Sequence, residues 1–157
     1  MIQGKLKLTD VAGRKFEAQS GSGHKILMDD SQGNAGARPI ELALLALGGC
    51  TAFDVINILR KKRQTVTSYE VELRADQNCE PPKVFTHIEV KHRFYGEVDP
   101  EAVRSAIHLS ESKYCSVGAM IGKSAGIVHT FEINPQPAAS QQQETEDEPA
   151  LHTSVRS

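Results

Sequence analysis

The stretch Pro39-Ile40-Glu41-Leu42-Ala43-Leu44-Leu45-Ala46-Leu47-Gly48-Gly49-Cys50-Thr51-Ala52-Phe53-Asp54-Val55-Ile56-Asn57-Ile58-Leu59 decides how this chain folds. It opens with proline where a helix tolerates it best and runs on to the basic cluster Arg60-Lys61-Lys62-Arg63, whose charges suit a helix C-terminus. Between those ends the residues are apolar on nearly every face, which a helix on a protein surface does not tolerate. Glu41, Asp54 and Asn57 make a membrane span the poorer reading. The stretch therefore predicts a long core helix, to about residue 63, that other elements must cover on all sides.

Upstream, residues 1–28 alternate polar and apolar side chains in short runs broken by Asp10, Gly13 and Gly21-Ser22-Gly23, which predicts two or three antiparallel strands. Downstream, Val66 to Arg74 and Val84 to Tyr95 alternate in the same way. Asp99-Pro100 then caps a helix with an inward stripe of Val103, Ala106, Ile107 and Ser110. A further helix is predicted from about Cys115 to Gly126, and a last strand from Ile127 to Ile133. The order gives an α+β domain over residues 1–134, with curved antiparallel sheets packed on the long central helix. One chain of 157 residues cannot easily enclose that helix, and a homodimer in which each sheet covers the other's helix would do so. Residues 135–157 hold four acidic residues against one arginine and few large apolar groups, the composition of a disordered tail.

A net charge of −2 and a pI near 6.3 argue against a nucleic-acid binder. The first residues contain no apolar run of signal-peptide length, so cytoplasmic residence is expected. Three widely spaced cysteines in such a chain point to burial or redox chemistry rather than a disulfide framework. Cys50 follows a glycine pair that costs helix propensity but leaves room beside the sulfur; the plain alternative is a small core residue. Cys115 stands at a helix start with Lys113 nearby, where a thiolate would be favoured, although a buried helix-start residue would look the same.

The segments Pro39-Ile40-Glu41-Leu42, Gly48-Gly49-Cys50 and Tyr114-Cys115-Ser116-Val117 resemble the two cysteine segments of the OsmC/Ohr family. Together with the order of elements the resemblance covers about residues 1–133, and Ser22-Gly23-His24-Lys25-Ile26-Leu27-Met28-Asp29 is similar to the YhfA-like branch. It implies an intertwined homodimer with two interface sites, each holding a peroxidatic cysteine, here Cys50, and a resolving cysteine, here Cys115. It also implies thiol peroxidase chemistry on organic hydroperoxides through a sulfenate and a disulfide, reset by a dithiol reductant without metal or other cofactor. A non-catalytic protein binding a small apolar ligand at the interface pocket, a redox-responsive thiol protein, or an interaction module using the acidic tail are the alternatives.

The family's activating arginine and glutamate are altered here. Glu41 lies nine residues before Cys50, on roughly the opposite side of a straight helix and about 13 Å away along its axis, so it would have to act on a partner's site or simply complement the helix dipole. The segment that carries the arginine in the family reads Gly21-Ser22-Gly23 followed by His24 here, leaving Arg38, Arg14 and His24 as candidate substitutes. Cys79 and the isolated histidines His87, His92, His108 and His129 are expected to be ordinary turn, strand and helix residues without metal-ligand spacing.

Overall fold

The computed structural model describes residues 1–135. The expected tail, residues 135–157, lies outside them but for Pro135. Two three-stranded sheets and three helices follow the order β1 (Gly4–Asp10), β2 (Lys15–Ser20), β3 (Lys25–Met28), α1 (Pro39–Lys61), β4 (Thr65–Gln77), β5 (Phe85–Glu97), α2 (Pro100–Leu109), α3 (Ser116–Ile121) and β6 (Gly126–Ile133). The α+β class and a long helix packed on a sheet, the second, are as expected.

The first sheet is an antiparallel meander, β1-β2-β3, and none of its residues is buried. The second, β4-β5-β6, carries the core. Its β4 and β5 form a long antiparallel hairpin, whereas β6 runs parallel to β5 with Ile88 opposite Ile127 and Phe94 opposite Ile133. An all-antiparallel second sheet is thus corrected at its last strand. The chain between β5 and β6 crosses back through α2 and α3, which lets it re-enter in the same direction.

Asp99 caps α2 by accepting from the backbone N–H groups of Glu101 and Ala102, and the stripe Val103, Ala106, Ile107 and Ser110 is fully or nearly fully buried. The helix expected from Cys115 to Gly126 is shorter and is preceded by structure. A single π-helical turn, Ser110–Tyr114, extends α2, and α3 stops at Ile121. The π turn tips Cys115 out of helical geometry to become the N-cap of α3.

α1 buries Leu47, Gly48, Thr51, Val55 and Leu59 and ends at Lys61. Gly48 lets α1 pack closely on β4, since a Cβ there would sit 2.6 Å from Leu73 Cδ1 and push that side chain aside. Leu47 joins Ile88, Val90 and Cys115 in one half of the core, while Val55 and Leu59 join Phe94, Val103 and Ala106 in the other. The helix is long and apolar enough to cross a membrane by length and composition. Here one face lies on β4, α2 and α3, while on its other side Leu45 is 58% and Phe53 74% exposed. The cover expected on all sides is present on only one among the described residues.

Candidate functional site: a thiol pair at the junction of two helices

Cys50, on the fourth turn of α1, and Cys115, at the N-cap of α3, come together with Asp54 so that one ligand atom of each, two sulfurs and a carboxylate oxygen, lie within 4.8 Å of one another. The α1 geometry explains part of this: Asp54 is four residues beyond Cys50 and so shares its face. The π turn supplies the rest by presenting Cys115 to that face. Ser110, fully buried, fixes the carboxylate through a hydrogen bond from its Oγ to Asp54 Oδ2 at 3.0 Å.

The two sulfurs live in different surroundings. Cys50 is half-buried, and beside it Gly49 borders open space. Cys115 is 4% exposed, touches Thr51 Oγ1 at 3.5 Å and accepts from the Gly118 backbone N–H at 3.2 Å. A Cβ on Gly118 would stand 3.1 Å from that sulfur. Burial pushes the Cys115 thiol above its ordinary value, outweighing the stabilisation of its thiolate by Thr51 and Gly118, and the neighbouring Cys50 pushes the same way. The acidifying helix start expected for Cys115 is therefore corrected: the end of a six-residue helix is a weaker influence than loss of water. Lys113 adds nothing visible, its ammonium lying over the Tyr114 ring.

The other candidates lie elsewhere in the chain. Arg38 and Glu41 pair with each other, and the Glu41 carboxylate also accepts from the Arg38 backbone N–H at 2.8 Å, closing the first turn of α1. The Arg38 guanidinium and N–H hold the Glu41 carboxyl below its usual range. Arg14 is bound to Asp30 at 3.0 Å, and with Arg38 it borders a groove of about 520 Å³ between the first sheet and the start of α1. His24 is exposed in the β2–β3 turn, and Cys79 is exposed in the β4–β5 turn.

A family model described as OsmC-like protein matches residues 31–130. The chain belongs to the OsmC-like family. It is 43% identical over 124 residues to Protein YhfA of Escherichia coli K12, covering 78% of this chain and 92% of that protein. Among solved structures it is similar to a hypothetical protein from Aquifex aeolicus VF5, with 32% identity, a TM-score of 0.77 and coverage of 85% of this chain and 96% of that one. The organic hydroperoxide resistance protein OhrB of Bacillus subtilis shares the fold at a TM-score of 0.58, with 12% identity over 84% of this chain and 98% of that one.

The sequence pointed to Asp54 only as a polar residue of the helix and to Ser110 only as part of an inward stripe, not as members of the site, although an acid four residues after a helical cysteine was a usable signal. Cys50, Asp54 and Cys115 are also the donors that could hold a thiophilic divalent cation, because both thiolates and a carboxylate suit such an ion.

Proposed function

We propose that this OsmC-like chain is a cysteine-dependent peroxidase for organic hydroperoxides, working in the cytoplasm as a homodimer and needing no bound cofactor. The observation that carries the reading is the approach of the Cys50 and Cys115 sulfurs to within 4.8 Å, near enough for side-chain rotation to bring them toward the roughly 2 Å of a disulfide bond. Exposure divides the roles. A hydroperoxide reaches the half-buried Cys50, while buried Cys115 is sheltered from it.

In the first step Asp54 takes the Cys50 proton, the thiolate attacks the terminal peroxide oxygen, and the O–O bond breaks. The products are Cys50 sulfenic acid and, after the proton passes to the departing alkoxide, an alcohol. Cys115 then attacks the sulfenate sulfur, forming the Cys50–Cys115 disulfide and releasing water with its own proton. A dithiol returns two electrons and two protons.

The dimer reading is supported by the apolar residues left uncovered on both partners of the exchange: Leu6, Leu8 and Ile26 on the first sheet, and Leu45 and Phe53 on α1. In that arrangement the Arg38–Glu41 pair, Arg14 and His24 of one subunit serve the thiols of the other.

Mixing the reduced protein with cumene hydroperoxide tests the chemistry. Cumyl alcohol should form in step with a Cys50–Cys115 disulfide seen by peptide mass spectrometry. Cys50→Ser should be inert, and Cys115→Ser should stop at a sulfenate that dimedone traps. If the wild-type protein forms neither alcohol nor disulfide, the peroxidase reading is wrong, and binding of an apolar ligand by the same fold takes its place.

A further inference from the structure

Beside Cys115 is a cavity of about 320 Å³ between α3 and the start of β6, bordered by Thr51, Glu111, Cys115, Gly118 and His129 among others. Cys50 does not border it. His129 ends a row of polar side chains that crosses the inward face of the second sheet among apolar neighbours. Tyr69 Oη lies 2.6 Å from His92 Nδ1, and His92 Nε2 lies 3.1 Å from His129 Nδ1. His92 is fully buried, and the three rings are held in stacked order by one another and by Phe94.

The row engages both nitrogens of His92 but only Nδ1 of His129. Among the described residues no buried side-chain nitrogen or oxygen lacks a partner, so the remaining Nε2 of His129 is open to the cavity or to solvent. Where His129 Nδ1–H donates to His92 Nε2 and His92 Nδ1–H to Tyr69 Oη, this Nε2 is an unprotonated base; the opposite direction, starting from the Tyr69 hydroxyl, places a proton on it. Burial holds both imidazoles neutral, His92 down to about 3, and Glu111 offers a balancing charge should His129 take up a proton.

We infer that this cavity receives the thiol that reduces the Cys50–Cys115 disulfide, with His129 as the base that takes its proton and Tyr69 and His92 as positioning residues. This rests on the disulfide cycle proposed above. A thiolate must approach along the extension of the S–S bond, opposite the leaving sulfur. Cys115 borders the cavity and Cys50 does not, so a thiol held there meets the Cys115 sulfur.

The first thiol of a dithiol gives its proton to His129 Nε2 and its sulfur bonds to Cys115 Sγ. The S–S bond breaks and Cys50 leaves as thiolate. The second thiol then attacks the reductant's own sulfur in the mixed disulfide, closing a cyclic disulfide and releasing Cys115 as a thiolate stabilised by Thr51 and the Gly118 N–H. The two protons lost by the dithiol end on Cys50 and Cys115, and the two electrons reduce the protein.

The test needs no peroxide. Purified protein is oxidised with diamide, and its reduction by dithiothreitol is followed by stopped flow. His129→Gln should slow reduction by about a hundredfold, with the rate of disulfide formation unchanged. Added imidazole should restore the rate in His129→Gly and not in the wild type. Tyr69→Phe should lower the saturating rate more than it raises the half-saturating dithiothreitol concentration. Ala119→Trp, at an exposed position on the cavity rim, should slow reduction without touching the histidines and serves if the His129 variants do not fold. Reduction of both His129→Gln and Ala119→Trp at the wild-type rate would overturn the inference alone. Failure of diamide to form the Cys50–Cys115 disulfide would overturn the proposed cycle and this inference with it.

Discussion

The two sheets of this protein have three strands each and opposite characters. The second sheet lies under α1 and α2 and contributes Ile88, Val90, His92 and Phe94, all fully buried, to a closed core. The first contains no buried residue, although Leu6, Leu8 and Ile26 alternate as a core-facing strand pattern would. An amphipathic sheet with its apolar face uncovered and the exposed apolar side of α1 are the two surfaces that the proposed dimer would cover. The thiol pair lies at the edge of the closed core: Cys115 belongs to it, whereas Cys50 is half-buried on the helix whose far side is bare.

Truncating the closed half should have the largest effect. Leu59→Ala should cost about 2–5 kcal/mol in urea unfolding, independent of protein concentration. The acid sensitivity of the same half is next. His92 is held neutral, its value depressed by burial from 6.5 to about 3, so it favours the folded state fully above pH 6.5. That contribution is lost as pH falls from 6.5 toward 3, on the order of a few kcal/mol, and His92→Phe should flatten the loss in denaturant titrations at stepped pH.

The open half should respond differently. Phe53→Asp should weaken self-association at least about tenfold, or roughly 1.4 kcal/mol, in sedimentation equilibrium while the circular dichroism of the chain is preserved. A monomeric wild-type protein would break the comparison, because the first sheet would then be stable uncovered. At the boundary, Gly48→Ala gains helix propensity of about 1 kcal/mol but presses on Leu73, and a net loss of about 1 kcal/mol is expected. Cys79→Ser, in an exposed turn, should change stability by less than about 0.5 kcal/mol and leave disulfide formation between Cys50 and Cys115 untouched.

Much of this was legible before folding because it is local. Period-two alternation marked the strands, Pro39 and Asp99-Pro100 marked two helix starts, and the stripe of α2 followed from helical spacing. The motifs around Cys50 and Cys115 placed the chain in its family. Other features were set by contacts between residues remote in sequence. The parallel pairing of β6 depends on a crossover through two helices, which alternation within β6 cannot report. The raised pKa of Cys115 depends on burial under α1, which overrides the local helix start.

Asp54 was visible four residues after Cys50, but its fixation by Ser110 depends on where α2 packs. The row Tyr69–His92–His129 depends on strand register, since each residue taken singly is an ordinary strand residue. The sequence by itself determined the elements and the two thiols, because propensity, capping and amphipathic period act over a few residues. Only the tertiary structure decided which sulfur is sheltered and which is open, because burial and mutual distance are properties of the packed chain.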